Sequence, residues 1–132
     1  MTQDRQRITS GAPWEDKVGY RRAVRVSDHV WVAGTVAVDS HGRPFAPDDA
    51  GAQAVRCLEI IVAALAEAGA RPEHVVRTRM FITDMAPEIQ AAVGAAHAAV
   101  FGSCPPASTM VGVSALAAPE FMVEIEAEAV IG

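Results

Sequence analysis

The last strand-like segment of the chain, VEIEAEAV, carries three acidic side chains on one face. Because side chains alternate between the two faces of a strand, Glu124, Glu126 and Glu128 project to the same side. Neighbouring carboxylates repel one another unless water or cations offset their charge. One hypothesis is a solvated or ion-paired sheet face, with Arg77 and Arg79 as partners. The other places Glu124 in a pocket, where it would position water or act as a general base.

A second candidate region is CPPASTMVGV, in which two prolines are followed by Ser108, Thr109 and Met110. The prolines break the preceding structure and a strand-like run follows, and strand entrances of this kind often line ligand pockets. The two hydroxyls can hydrogen-bond a ligand, although no basic residue stands at this entrance. No GxSxG elbow surrounds Ser108, so nothing in the sequence signals a nucleophilic serine.

Three further residues each leave two interpretations open. Tyr20, the only tyrosine, could reach a cleft from a strand start or could pack with its hydroxyl satisfied. His97 lies in an apolar helical stripe, which suits a core or interface histidine, or one beside a ligand cleft. Gly34 follows a strand but directly precedes no helix, so it is only a weak dinucleotide-binding signal. The histidine and cysteine spacings match no zinc motif, and we predict no metal and no other cofactor.

Length and composition favour one small globular domain spanning residues 1–132. The chain is long enough to bury a core, and its 51% apolar content argues against disorder. A net charge of −5 argues against nucleic acid as the main partner, which usually requires a basic surface. The polar N-terminus lacks a signal-peptide pattern and no apolar run is long enough to span a membrane, so we expect a cytoplasmic protein.

Hydrophobic periodicity predicts a β-β-α-β-α-β order, with a short additional strand near the N-terminus at 7–9. The predicted elements are strands at 20–26 and 30–36, a helix at 48–68, a strand at 74–83, a helix from 84–87 to about 102, and strands at 109–114 and 121–131. This order indicates an α+β fold whose mixed sheet carries two helices on one face. The other sheet face has apolar residues but no helix to cover it, so we expect a closed symmetric oligomer.

Local signals refine two of these elements. Asp48 or Asp49 can cap the start of the first long helix, and Gly69 suits the left-handed position after its end. Strict alternation in the strand at 74–83 would place Val76 and Thr78 on one face, together with Met80 and Ile82.

Taken together, RTRMFITDM, the Pro-Ala entry into a strand and VEIEAEAV resemble the Rid family over nearly the whole chain. This family is also called YjgF/YER057c/UK114 and endoribonuclease L-PSP. The resemblance implies a chorismate-mutase-like α+β fold and a homotrimer whose sheets pack into a central barrel. It also implies small-molecule metabolites as partners, bound in clefts between subunits. In the best-known branch these clefts hydrolyse enamines and imines, such as 2-aminoacrylate, to 2-oxo acids and ammonia.

The resemblance assigns roles to several residues of this sequence. Glu124 matches the family glutamate on the last strand, and Tyr20 matches the family tyrosine. Ala33 stands where the family has a serine, ahead of Gly34. Gly94 aligns with the asparagine of the second helix. The resemblance therefore implies that the water-handling carboxylate and the tyrosine are kept.

The main departure from the family pattern is at the strand entrance. After Pro-Ala, the best-known branch has an arginine that grips the substrate carboxylate, and this chain has Ser108. Thr109 and Met110 follow, where that branch has serine and cysteine. Losing one charge-assisted hydrogen bond costs roughly 1.5–3 kcal/mol, and a two-bond clamp costs more. The chain thus resembles an arginine-less subgroup.

Two functions follow as expectations. The first is an imine or enamine deaminase-type hydrolase of altered specificity, with Glu124 as the catalytic residue. Its substrate-binding residues would be Tyr20, Ala33, Gly34, Ser108, Thr109 and Met110. The second is a non-catalytic trimer that binds or senses a small molecule. Whether an arginine of the first hairpin replaces the missing clamp stays open, the candidates being Arg21, Arg22 and Arg25. The acidic charge disfavours ribonuclease activity.

Overall fold

The computed structural model describes residues 4–132, which form one six-stranded mixed sheet with two long helices packed on one face. The order across the sheet is β1-β2-β3-β6-β4-β5. The elements in chain order are β1 (Arg5–Ile8), α1 (Pro13–Val18), β2 (Ala23–Val26), β3 (His29–Val36), α2 (Ala50–Glu67), a 3-10 turn (Pro72–His74), β4 (Val75–Ile82), α3 (Pro87–Phe101), β5 (Ala107–Gly112) and β6 (Val123–Val130). The predicted α+β class with both long helices on one face is confirmed.

Strand connections set this topology. β2 and β3 form the predicted antiparallel hairpin, turning at Ser27 and Asp28. Helix α3 crosses over the sheet and makes β5 parallel to β4. The last strand, β6, then inserts antiparallel between β3 and β4. The segment that carries the glutamates is therefore central, with strands on both sides of it.

The capping signals of α2 are found where the sequence predicted them. The Asp49 carboxylate accepts a hydrogen bond from the Ala52 N–H at 3.0 Å, and this satisfies one of the free donors at the helix start. After the helix ends, Gly69 has φ of 84°, a left-handed conformation that favours glycine. The apolar faces of α2 and α3 pack against the sheet, and the largest buried side chains there include Leu58, Ile61, Leu65, Val93, Phe101, Val123 and Ile125.

Two strands lie elsewhere than predicted. β2 begins at Ala23 rather than at residue 20, so Tyr20 precedes the strand, and β5 covers Ala107–Gly112 rather than 109–114.

Three further details of the prediction are wrong. The N-terminal strand covers Arg5–Ile8, so it lies about two residues earlier than 7–9. A short helix, Pro13–Val18, occupies part of the N-terminal region that the sequence indicated to be only an arm. The pairing of β4 with β6 shifts register between Val75 and Arg77, so Val75 is buried whereas Val76 is 46% exposed. Strict alternation holds only after this irregularity, from Thr78 onward.

The second face of the sheet is not covered by α2 or α3. It carries the alternate side chains of β6 and β4, together with Trp31, which is 45% exposed and stacks on His29 at 5.6 Å between ring centres. The opposite face of the same strands is almost completely buried. We refer to this second surface as the open sheet face.

Candidate functional site

Glu124 projects to the open sheet face near the start of β6, where it pairs with Val36 beside the irregular part of the β3–β6 pairing. Its carboxylate packs directly on Gly34, where a β-carbon would lie 3.1 Å from both the carboxylate carbon and Oε2. The side chain is half-buried. Burial raises the pKa of the Glu124 carboxyl above its ordinary value, with Glu126 adding repulsion and Arg22 partly opposing the rise. The raised pKa makes this carboxylate a better proton acceptor than an ordinary glutamate.

Arg22 is the hairpin arginine that lies nearest this carboxyl. Its Nη2 donates to the Gly34 carbonyl at 2.5 Å, and its guanidinium carbon lies 5.8 Å from the centre of the Tyr20 ring. Within residues 4–132, its buried Nε has no hydrogen-bond partner. Arg22 therefore supplies a positive charge close to Glu124 and Gly34.

The other two hairpin arginines are engaged elsewhere. Arg21 bonds to the Tyr20 carbonyl at 2.9 Å and pairs with Asp16 at 3.1 Å. Arg25 donates to the carbonyls of Ala68 and Ser27, so it braces the end of α2. Of the three arginines that the sequence left open, only Arg22 is directed toward Glu124.

A groove of about 640 Å³ runs over the open sheet face beside this cluster. Two predicted site residues, Tyr20 and Ala33, line it. The remaining lining includes Trp31, the acidic Glu126 and Glu128, and the basic Arg7 and Arg21. Glu124 and Gly34 do not line this groove. In a single chain, the predicted site residues are therefore divided between the groove, which has Tyr20 and Ala33, and the neighbouring contact of Glu124 with Gly34.

The remaining glutamates of β6 are paired, as the first of the two hypotheses for this strand predicted. Arg79 Nη1 bonds to Glu126 Oε1 at 3.0 Å and to Glu128 Oε1 at 3.2 Å. Arg77 makes no ion pair in the part of the chain that the structure describes. Within those same residues Glu124 also has no salt bridge, so β6 combines an ion-paired segment with one separate carboxyl.

The hydroxyl of Ser108 belongs to a hydrogen-bonded chain on the helical face of the sheet. Ser108 on β5 is directly paired with Thr78 on β4, and their hydroxyl oxygens are 2.8 Å apart. The same Thr78 oxygen lies 2.8 Å from Nε2 of His97 on α3. Thr78 is completely buried and Ser108 is exposed, so the chain connects a half-buried imidazole to the surface. Burial lowers the pKa of His97, which favours the neutral ring.

Strand register separates Ser108 from Glu124 within one chain. Glu124 is level with Phe81, whereas Ser108 is level with Thr78, and two strand spacings lie between β6 and β5. The two α-carbons are thus roughly 14 Å apart for ordinary strand dimensions. Their side chains also leave opposite faces of the sheet. A single chain does not bring these two predicted site residues together.

Thr109 and Met110 are likewise on opposite faces. Thr109 is exposed and pairs with Arg79 toward the open sheet face. Met110 pairs with Met80 and packs partly against the core. A core contact is therefore the role that the structure gives to Met110.

Sequence reasoning missed one functional candidate, Thr78, and left a second, Arg22, unresolved. Thr78 was predicted only as an inward-facing strand residue, because nothing in its local sequence identifies the partners that the β4–β5 pairing supplies. Arg22 was one of three nearby arginines, and only the fold distinguishes it from the others. Among residues 4–132, no group of three or more histidine, cysteine or acidic residues could hold a metal ion. No described helix is long and apolar enough to cross a membrane.

Comparison with known proteins adds a family to this geometry. A family model described as endoribonuclease L-PSP matches residues 11–131. The chain belongs to this family. An uncharacterized protein of Streptomyces coelicolor is 35% identical over 127 residues, covering 96% of this chain and 92% of that protein. A RutC family protein of Pyrococcus abyssi is 31% identical over 108 residues, covering 82% and 83% respectively.

A solved structure gives the same result for the fold. A Mycobacterium tuberculosis member of the YjgF/YER057c/UK114 family is 42% identical and superimposes with a TM-score of 0.87. The match covers 97% of this chain and 100% of that one. Rid-family membership and the family's chorismate-mutase-like α+β fold are therefore both confirmed.

Proposed function

We propose that this Rid-family protein binds a small metabolite in clefts between the subunits of a homotrimer and hydrolyses its imine or enamine form. The observation that carries the proposal is Glu124, a half-buried carboxyl whose pKa burial raises, seated on Gly34 beside the Arg22 guanidinium. The family membership supports the same chemistry, because the resemblance matches this residue to the family glutamate.

The reaction needs a base close to the electrophilic carbon. Glu124 would take a proton from water while the water oxygen bonds to the carbon of the C=N group. The Glu124 carboxyl would pass that proton to the nitrogen, which gives an amino alcohol. The same carboxylate would then carry the hydroxyl proton to the nitrogen as the carbon–nitrogen bond breaks, so that ammonia leaves and a carbonyl remains. A carboxylate with a raised pKa is a stronger base than an ordinary one, so it takes a proton from water more readily. An enamine would enter the same route after protonation on carbon.

A trimer would solve two problems that the single chain leaves. It could cover the open sheet face, which includes the exposed Trp31. It could also bring Ser108 of one subunit near Glu124 of another, since the two lie on opposite faces of one sheet. Size-exclusion chromatography with light scattering tests this point. A mass of three 13.9 kDa chains is expected, and a monomer at working concentration would contradict it.

Ser108 is proposed to alter the substrate preference. A neutral hydroxyl replaces the guanidinium that would hold a carboxylate with two charge-assisted hydrogen bonds. At about 1.5–3 kcal/mol for each bond, the loss corresponds to one or more powers of ten in affinity. Small carboxylate imines should thus be poor substrates compared with imines that end in an uncharged group.

The deciding experiment measures hydrolysis of 2-iminopropanoate, generated in situ from alanine by an amino-acid oxidase, beside a series of imines that lack a carboxylate. Glu124→Gln should abolish the rate on any substrate that the wild type hydrolyses. Glu59→Gln is the matched control, because it makes the same change at an exposed position of α2 and should keep the full rate. Ser108→Arg should raise the rate on 2-iminopropanoate.

The outcomes are distinct. If no imine is hydrolysed faster than in buffer by either the wild type or Ser108→Arg, the catalytic proposal fails and a non-catalytic binding trimer takes its place. RNA is not proposed as a substrate despite the family's description. The net charge is −5, and the groove on the open sheet face is lined by two acidic and two basic side chains, so it is not the basic surface that RNA binding usually requires.

A further inference from the structure

A chain of hydrogen bonds through Thr78 connects the exposed hydroxyl of Ser108 to the half-buried imidazole of His97. Both links are 2.8 Å long, and the middle member is fully buried between β4, β5 and α3. His97 is also held by its contact with Phe101, whose ring centre lies 4.7 Å away at 44°. The buried threonine therefore has a partner on each side, and the exposed Ser108 hydroxyl keeps hydrogen-bonding capacity toward solvent.

The protonation state of His97 limits the direction in which the hydrogen-bonded chain Ser108–Thr78–His97 can donate. A hydroxyl donates one hydrogen bond, and a neutral imidazole can accept or donate at Nε2. With His97 neutral, the chain can run either way, so Ser108 can offer a ligand either a donor or an acceptor. A protonated imidazole only donates. Thr78 must then donate to Ser108, and the Ser108 hydrogen is directed outward with a positive charge behind it.

We propose that Ser108, oriented by Thr78 and His97, selects ligands with an uncharged polar end at neutral pH and admits carboxylates when His97 is protonated. This inference rests on the proposed function, since it takes Ser108 to face the ligand cleft. Suitable uncharged ends are a carboxamide, an imine N–H or a ketone. In place of a permanent cation, the protein thus has the Ser108 hydroxyl, and pH decides whether this hydroxyl can accept as well as donate a hydrogen bond.

The surroundings of His97 contain few competing charges. The titratable groups on the elements packed against α3 are Arg77 and Arg79 on β4, Glu73 and His74 in the 3-10 turn, and Arg56, Cys57, Glu59 and Glu67 on α2. None of these alters the pKa of His97, which burial alone lowers. Proton uptake by this ring should therefore depend mainly on what binds at the Ser108 end.

The test uses two ligands of the same shape, pyruvamide and pyruvate, titrated calorimetrically into the wild-type protein between pH 8 and pH 5.5. Pyruvate stays ionised throughout this range. At pH 8 we expect pyruvamide to bind more tightly than pyruvate. Pyruvate affinity should rise as the pH falls toward 5.5. If binding raises the pKa of His97 by one, the gain approaches a limit of about tenfold below the pKa of the free ring. Pyruvamide affinity should change much less.

Variants separate recognition from folding. Ser108→Ala should remove the preference for pyruvamide. His97→Gln should keep pyruvamide binding but lose the pH dependence of pyruvate binding. Any pH dependence that remains in this variant would come from another titrating group, such as Glu124. His41→Gln, the same change in an exposed turn, should behave as the wild type. Thr78→Ser retains the hydroxyl and should preserve the pH profile, whereas Thr78→Val should not.

A measurement on the wild type alone guards against a variant that fails to fold. In the wild type, NMR titration of the His97 ring should show a higher pKa with saturating pyruvate than without it. A pH profile unchanged in His97→Gln, or a ligand ratio unchanged in Ser108→Ala, would overturn the inference. So would failure of the wild type to bind either ligand. Imine hydrolysis that depends on Glu124 would then still support the proposed function.

Discussion

Gly34 lies so close to the Glu124 carboxylate that the smallest added side chain would displace it. A β-carbon at Gly34 would be 3.1 Å from the carboxylate carbon and from Oε2, which is tighter than ordinary van der Waals contact. The absence of a side chain on β3 is thus what allows the carboxyl on β6 to occupy its half-buried position. This contact makes the placement of Glu124 testable without changing Glu124 itself.

Gly34→Ala is expected to push the carboxyl outward by a few tenths of an ångström. If Glu124 handles the reacting water, the rate should fall by roughly tenfold, because misplacement of a catalytic group is costly even when it is small. The melting temperature should change little. Gly94→Ala is the control, since a β-carbon there meets nothing within 4 Å. An unchanged rate in Gly34→Ala would show that catalysis does not require this carboxyl position.

Glu124→Gln should stabilise the folded protein at neutral pH. Burial raises the folded-state pKa above the ordinary 4.5, so the folded state binds more protons than the unfolded state between those two values. Stability from this group is consequently lost as pH rises through that window, and the loss persists at pH 7. Urea unfolding at pH 4 and pH 7 measures it. Glutamine does not titrate, so its advantage over wild type should be larger at pH 7.

The elements that fix the sheet were predictable because their signals are local. Asp49 caps α2 and Gly69 ends it, and the alternation in β6 separates Glu124 from its buried neighbours. α1 escaped prediction because it has only six residues, too short for a periodic apolar pattern. Val76 was assigned to the wrong face because a register irregularity depends on the partner strand.

The candidate site was predictable only for features that depend on the sequence of a single strand. The separate character of Glu124 follows from β6 alone, although its packing on Gly34 requires β3. The link from Ser108 through Thr78 to His97 joins three elements, spanning 19 and 30 residues from Thr78. Such contacts between distant residues leave no periodic signal. The direction of Arg22 similarly depends on the hairpin's position beside Gly34 rather than on its neighbours in sequence.

Gly94 and Gly69 should respond to alanine in opposite ways. Gly94 lies inside α3 with open space around it, so Gly94→Ala should stabilise the protein by about 0.5–1 kcal/mol. Gly69 has φ of 84°, which costs an L-residue about 1–2 kcal/mol. Urea unfolding at one fixed protein concentration gives both values. A destabilising Gly94→Ala would indicate that a neighbouring subunit packs on this part of α3.

Glu15 should stabilise the N-terminal segment through a pH-dependent cluster. Its carboxylate accepts from Thr9 Oγ1 at 2.8 Å and from the Ser10 N–H at 3.0 Å, and it also bonds to the Ser10 hydroxyl. Burial alone would raise the pKa of Glu15, but these hydrogen bonds outweigh it and the pKa is lowered. The stabilisation should thus be present above the ordinary 4.5 and lost as pH falls through the folded-state pKa.

Glu15→Gln is accordingly expected to cost about 1–3 kcal/mol at pH 7 and less in acid. Chemical denaturation at pH 7 and pH 4 measures both values. Asp16→Asn is the matched control, because the Asp16 side chain is 86% exposed and its pairing with Arg21 should contribute little. Equal losses in the two variants would contradict a specific role for the buried carboxylate.

The two cysteines should differ sharply in reactivity toward a thiol reagent. Cys57 is fully buried, and burial together with the Glu124 charge raises its pKa to about 12. Because the thiolate is the reactive form, Cys57 should be inert in the folded protein at pH 8. Cys104 lies partly exposed before β5 and should react. A chromogenic disulfide should therefore titrate one thiol per native chain and two in urea. In Cys104→Ser, no thiol should react in the folded protein and one should react after unfolding. Prompt labelling of that variant under native conditions would contradict the prediction, because it would mean that α2 separates from the sheet more readily than its packing implies.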